Sequence, residues 1–359
     1  METEDSLIEW LRQREAERGR CLIGDDAAVL PAGGPWITTM DTQIEGVHFF
    51  PGLDPAWIAR RLLAVNLSDL AAMGATPAYA FLALSAPGTF DRRRFFDAFL
   101  DACESVQVQL AGGDLSSQER VTAVLTLIGH SPEKRVLRRS AARPGDDLWI
   151  GGTVGESALG FELLRRGARL DPDGSVQGLP EDGLSEDGPA PRSSASLSAA
   201  ATATAERAVR RHILPTPQLE LGAWLADRRS PVAAMDISDG LAKDLHRLCR
   251  ASGVAADIRW QDLPDLAGRC ELEPLLSRSW EALVLSGGED YVLCFTLSSD
   301  EEPPPERFGA RKIGTIKHGA GVFLRRGNDA PRAIDDRGWD HLARPDENLS
   351  SRPDENPSA

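Results

Sequence analysis

Short apolar runs with strand character alternate along this chain with helical patterns, and that alternation restricts the fold class more than any other feature. The strand-like runs are Trp36–Thr39, Ala78–Leu84, Val121–Ile128, Leu148–Ile150, Val232–Ile237 and Tyr291–Leu297. The most regular helical pattern runs from Pro55 to Met73, where Leu63, Leu67 and Leu70 recur at helical spacing before Gly74 and Pro77 end it. A second covers Leu241 to Cys249, and an opening helix is expected from Ser6 to Glu17. Strands interleaved with helices predict an α/β or α+β fold. The order of elements does not select a sheet topology.

Turn chemistry then divides the chain. Arg143-Pro144-Gly145-Asp146 reads as a turn into a new strand, so we expect one domain over residues 1–137 and a second over 138–343. From about Gly167 to Glu206 the composition shifts to Asp, Glu, Gly, Pro and Ser, followed by the small-residue tract Ser193–Ala205. Such a segment offers little to bury and predicts an exposed, mobile insertion between two helices, its alanine-rich end extending the helix that follows. Residues 344–359 read as a disordered polar tail.

Charge narrows the partners. Lys and Arg total 40 against 55 Asp and Glu, a net charge of −15, which disfavours general binding to a nucleic-acid backbone. No apolar run approaches the ~20 residues of a membrane-spanning helix, so no membrane association is expected. The acidic start Met1-Glu2-Thr3-Glu4-Asp5 lacks the order of a signal peptide. Cys21, Cys103, Cys249, Cys270 and Cys294 are widely spaced and form no CxxC. Reduced thiols in a cytoplasm are the expectation.

The chemistry concentrates in aspartates at strand ends and turns, each set among small or apolar residues. They lie in Gly24-Asp25-Asp26, Thr39-Met40-Asp41, Ser68-Asp69-Leu70, Gly112-Gly113-Asp114, Met235-Asp236-Ile237-Ser238-Asp239-Gly240 and Gly287-Gly288-Glu289-Asp290. Carboxylates in apolar surroundings are costly unless paired, hydrogen-bonded or metal-bound. Several of them with few cations nearby suit Mg²⁺, which takes oxygen ligands and is completed by substrate phosphates. Adjacent glycines let backbone N–H groups approach phosphate oxygens. Taken singly, Asp239-Gly240 reads equally well as an Asx turn capping the helix from Leu241, and Gly24-Asp25-Asp26 as a plain turn. Asp69 is the exception, because it interrupts an apolar helix in which Asp is a poor helix former. The chain has neither a GxxxxGK[ST] loop nor the protein-kinase signature set.

In their order, these segments resemble the thiamine-monophosphate kinase family, within the aminoimidazole-ribonucleotide-synthetase-like ATP-binding superfamily. The matching stretches are IGDDAAVL (Ile23–Leu30), MDTQIEGVHF (Met40–Phe49), AVNLSDLAAMGATP (Ala64–Pro77) and AGGD (Ala111–Asp114). They continue through RRSAARPGDDLWIGGTVGESALG (Arg138–Gly160), RHILPTPQLELG (Arg211–Gly222), MDISDGLAKDL (Met235–Leu245), LSGGEDYVLCFT (Leu285–Thr296) and GWDH (Gly338–His341). The resemblance implies two synthetase-like domains, the first binding ATP and Mg²⁺ and pairing in a homodimer. It implies Mg²⁺-dependent in-line transfer of the ATP γ-phosphoryl group to thiamine monophosphate, giving thiamine diphosphate and ADP, with no covalent nucleophile. It further implies several Mg²⁺ ions held by Asp26, Asp41, Asp69, Asp114, Asp236 and Asp239, assisted by Thr39 and by position 40. Gly113, Asp114, Arg139 and Ser238 are then expected at ATP, and His48, Glu289 and Trp339 at thiamine monophosphate.

Two positions depart from the family pattern. Met40 stands where Thr is usual, which leaves only its backbone carbonyl as a ligand, and Leu115-Ser116 replaces the usual Thr-Thr after Asp114. Within the superfamily, selenophosphate synthetase relies on a reactive Cys or selenocysteine beside a Gly-rich segment, and Cys21 has no such setting. The hydrogenase-maturation dehydratase uses a C-terminal cysteine, whereas this chain ends Pro357-Ser358-Ala359. Aminoimidazole ribonucleotide synthetase shares ATP binding but fits the EGVHF and GGEDY segments less well. A non-catalytic nucleotide or thiamine-phosphate binder is the alternative of a different class.

Overall fold

The computed structural model describes residues 4–19, 36–131, 136–179, 197–336 and 338. Helix α1 (Glu4–Glu17) is followed by β1 (Trp36–Ile44), α2 (Pro55–Ala72), β2 (Thr76–Ser85), α3 (Arg92–Ser105), β3 (Gln109–Ser116) and β4 (Thr122–His130). These four strands form one sheet in the order β1-β4-β2-β3. Only β2 and β3 run parallel, joined through α3, and the remaining neighbours are antiparallel. Alternation along the strands sends Ala80, Leu82, Leu84, Leu125 and Leu127 into a core with α2 and α3. The opposite face of the sheet carries Trp36, Met40, Tyr79, Phe81, Val124 and Ile128, and there Trp36 is 39% and Met40 65% exposed.

The second half begins with β5 (Asp147–Ile150) and α4 (Glu156–Arg165), then the small hairpin β6 (Arg169–Leu170) and β7 (Val176–Gln177). After it come α5 (Ala199–Ile213), α6 (Leu219–Ala226), β8 (Ala234–Asp236), α7 (Leu241–Ser252), β9 (Ala255–Arg259), α8 (Arg269–Leu272) and α9 (Trp280–Ser286). Strands β10 (Leu293–Leu297), β11 (Arg311–Lys317), β12 (Gly321–Arg325) and β13 (Arg332–Ile334) complete it. The larger sheet has the order β13-β12-β9-β11-β5-β10-β8. On β10, Cys294 faces the core shared with α4, α5, α7 and α9, while Leu293, Phe295 and Leu297 face a second core with α6. The α/β character expected from the alternation of elements is therefore present in both halves.

Helix α2 joins the two sheets. Asp54 caps it through a hydrogen bond from Ala56 N at 2.9 Å, and Pro55 occupies its first turn. It packs on β1, β2 and β4 on one side and on α5, α6, β8 and β10 on the other. Helices buried on every side are normally apolar throughout, yet α2 buries Arg61, Asn66 and Ser68. Its contact with α6 is close enough that a Cβ at Gly222 would lie 2.1 Å from Ala71 O, so only glycine fits there.

The segment 167–206 packs more than its composition suggests at its start, and its alanine-rich end extends the following helix as expected. Ala168 and Leu170 are buried beside the hairpin, and α5 starts at Ala199 with Ala201, Thr204 and Ala205 buried. Asp171 O accepts from Trp57 Nε1 at 3.2 Å, and Ser198 caps α5 while bonding Glu271. Alanine and threonine offer little apolar surface singly, but a helix lying flat on α4 buries such small side chains well. Residues 180–196, the tail 344–359 and Cys21 lie outside the described residues.

Candidate active site

Three carboxylates from distant parts of the chain converge where α2 passes between the sheets. Asp69, in the last turns of α2, accepts a hydrogen bond from Thr39 Oγ1 and also bonds Asp41, both from β1. The neighbouring Ser68 Oγ donates to Asp236 Oδ2 at 2.7 Å, at the end of β8. Asp236 is 3% exposed. Burial, then repulsion from Asp69, with smaller contributions from Asp244 and Asp41, pushes its carboxyl well above the usual range. Burial likewise raises Asp69, although Thr39, the Arg139 guanidinium and Asp41 oppose it. Mutual repulsion of this kind marks a place where a cation is needed.

The donor set fits Mg²⁺. It consists of carboxylate and hydroxyl oxygens, and Asn66, one turn before Asp69, keeps Oδ1 buried without a hydrogen-bond partner. Among the described residues no three His, Cys, Asp or Glu side chains form a ready-made cage. A Mg²⁺ held by one or two of these carboxylates would take its remaining ligands from water and phosphate.

Other expected ligands lie apart from this cluster. Met40 and Asp114 sit on the opposite, open face of the first sheet, Met40 on its β1 edge and Asp114 beside Ala83 on its β3 edge. The Met40 side chain therefore does not enter the Asp41–Asp69–Asp236 cluster, because adjacent strand residues point to opposite faces. Gly113 is pressed against β2, where a Cβ would stand 1.8 Å from Leu82 O. Asp239 is paired with Lys243 Nζ at 3.1 Å and Arg247 at 2.7 Å, so two cations already neutralise its carboxylate. The turn before α7 is capped from within the helix, as Ser238 N and Asp239 N both donate to Asp244 Oδ2, at 3.0 and 2.9 Å. The Asx-turn reading of Asp239 thus gives way to Asp244, a residue sequence reasoning passed over. Asp26 and Trp339 lie outside the described residues.

Of the expected acceptor residues, Glu289 and His48 lie near each other. Glu289 has φ +57° and is held by a hydrogen bond from its own N–H to Ser238 O at 2.6 Å. Its carboxylate pairs with Arg61 at 2.6 Å and lies 3.4 Å from His212 Nδ1. Burial pushes the Glu289 carboxyl up, but the surrounding basic groups together, Arg61 first among them, more than offset it and leave the group below the usual carboxylate range. Burial also lowers His212 to about 4, so His212 is neutral and Arg61 is the cation that counts. His48 also contributes to the lowering of Glu289, and its Nδ1 accepts from Ile44 N at 3.1 Å. Sequence reasoning missed Arg61 and His212, since an arginine in a helix and a histidine near a helix end read as surface residues.

Comparison with known proteins identifies the family. The domain family described as AIR synthase related protein, N-terminal domain, matches residues 24–131. The thiamine-monophosphate kinase of Escherichia coli is 34% identical over 90% of this chain and 92% of its own length. The chain belongs to the thiamine-monophosphate kinase family. The crystal structure of the family member from Stenotrophomonas maltophilia superimposes with a TM-score of 0.70 at 33% identity, covering 89% of this chain and 95% of that one. AaThiL complexed with AMPPCP and TMP superimposes with a TM-score of 0.68 at 26% identity, over 95% and 99% of the two chains. Membership in the family places the catalytic chemistry in the class of ATP-dependent phosphoryl transfer.

Proposed function

We propose that this chain transfers the γ-phosphoryl group of ATP to thiamine monophosphate, releasing thiamine diphosphate and ADP. The observation that carries this reading is the convergence of Asp41, Asp69 and Asp236 near Glu289 and His48. Asp41, Asp69 and Asp236, with Thr39, would hold Mg²⁺, and on the resemblance we assign Asp26 and Asp114, the latter on the open face of the first sheet, to further Mg²⁺ ions. When bound, Mg²⁺ would supply positive charge against the repulsion that two anionic substrates bring together. Arg139, close to Asp69, supplies a guanidinium for a polyphosphate oxygen, and Gly113 allows close backbone approach. Glu289, His48 and Trp339 are assigned to the thiamine moiety, where an ionised Glu289 attracts the cationic thiazolium. A phosphate monoester acceptor is largely dianionic at neutral pH and needs no general base. In-line transfer without a covalent nucleophile follows.

We also assign residues 1–137 and 138–343 to two domains and infer a homodimer. Sheets with one face open to water normally carry polar residues there, whereas Trp36, Met40, Tyr79, Phe81 and Ile128 make this face apolar. A second copy presenting the same face would cover it. Reduced Cys103, Cys249 and Cys294, all buried, support a cytoplasmic setting. The deciding experiment is product analysis after incubation with ATP, Mg²⁺ and thiamine monophosphate. Equal amounts of thiamine diphosphate and ADP are expected, and ADP without thiamine diphosphate would overturn the reading.

A further inference from the structure

Arg61 is 1% exposed and reaches three separate elements. Its Nε donates to Gln43 Oε1 on β1 at 2.8 Å, and its terminal nitrogens donate to His212 O at the end of α5 and to Glu289 Oε1 at 2.6 Å. An ion pair sunk this deep is weak evidence for stability, because desolvating the charges offsets their attraction. The two partners differ sharply in access. The Glu289 side chain keeps 27% of its exposure while that of Arg61 keeps 1%, so Glu289 is the partly exposed member of the pair and Arg61 the buried one. Arg61 cannot reach a substrate, but it can set where the Glu289 carboxylate points.

The surroundings make that control necessary. Glu289 and Tyr291 both have positive φ, +57° and +49°, in a region non-glycine residues avoid. Their backbone N–H groups are tied to Ser238 O and Ile237 O, in the turn that follows Asp236. Helix α2, which carries Arg61, also carries Ser68 and Asp69 two turns further on. One rigid helix thereby touches the acceptor side through Arg61 and the carboxylate cluster through Ser68 and Asp69.

We infer that Arg61 is a positioning residue that holds the Glu289 carboxylate in register with the carboxylate cluster and so sets affinity for the cationic, phosphorylated acceptor. This rests on the kinase reading above. The test is steady-state kinetics on the full chain for wild type, Arg61→Lys, Arg61→Met, Glu289→Gln and the double variant Arg61→Met/Glu289→Gln. Arg61→Met is expected to raise KM for thiamine monophosphate about tenfold or more, with KM for ATP changed by less than about twofold. Arg61→Lys restores the charge and recovers most of the loss. In the Glu289→Gln background the Arg61→Met step costs less than about threefold, because its target is already gone. Equal losses toward both substrates, or additive losses in the double variant, would overturn the inference. Should Arg61→Met fail to fold, the double variant removes both charges together, and its comparison with Glu289→Gln answers the same question. Absence of product from wild type defeats the kinase reading itself, whereas an active wild type with unaltered acceptor KM in the variants defeats only the role of Arg61.

Discussion

Ser68 Oγ donates to Asp236 Oδ2 at 2.7 Å, and this bond ties the helix packed under the first sheet to the edge strand of the second. Because Asp69 follows Ser68, the same turn of α2 offers one carboxylate to β1 and a hydroxyl to β8. Three carboxylates are thereby gathered without any of them being adjacent in the chain.

Asp69→Asn keeps the shape and the Thr39 bond but removes the charge that a cation would meet. Turnover is expected to fall about a hundredfold or more, with an unchanged circular dichroism spectrum. Near wild-type turnover at saturating Mg²⁺ would remove Asp69 from the metal site.

Asp236→Asn separates stability from activity. The carboxylate is raised by burial and by Asp69, so its charged form opposes folding above its native pKa. Asparagine still accepts from Ser68 and carries no charge. In metal-free buffer near neutral pH the variant is expected to melt higher than wild type, and it should lose both activity and any rise in Tm on adding Mg²⁺. A lower Tm in metal-free buffer would contradict the repulsion described here.

Asp290 gives a pH dependence outside the cluster. It accepts from Gly155 N at 2.7 Å and Ser157 N at 3.1 Å, at the start of α4. Burial raises its carboxyl to about 7 despite those bonds. Between roughly pH 4 and 7 the folded chain therefore holds a proton that the unfolded chain has released, and this group's contribution declines as pH rises through that window. Acidification from about pH 8 to 5 is expected to stabilise wild type relative to Asp290→Asn, by an amount of order a few kcal/mol. Parallel urea titrations of both proteins would show it, and a pH-independent difference would refute it.

Ile128→Lys places a charge in the middle of the open face of the first sheet, opposite Thr38. Light scattering is expected to report a dimer for wild type and a monomer for the variant. A dimeric variant would mean that the pairing surface lies elsewhere.

Local features make part of the site legible before any tertiary information. Asp69 stands out because an aspartate inside an apolar helix needs a reason, and Glu289 because two glycines precede it. Arg61 does not stand out, since it follows Arg60 and either could face solvent. Only the second sheet closing over α2 decides which of the pair is buried. Asp239 is legible as a functional acid but not as an ion-paired one, although Lys243 and Arg247 lie four and eight residues along the same helical face. The resemblance groups position 40 with Asp41 through its backbone carbonyl, and strand alternation turns the Met40 side chain to the other face.

The sequence by itself determined the elements and the kinds of side chain at their ends, because periodicity, capping and turn chemistry act over a few residues. It carried the order of β1, α2 and β8, and the oxygen-rich character of the site. The tertiary structure alone decided which of these groups meet. Asp41, Asp69 and Asp236 come together because α2 is held between two sheets, and Arg61 meets Glu289 across a separation of 228 positions. Both depend on contacts between residues tens to hundreds of positions apart, which no local pattern encodes.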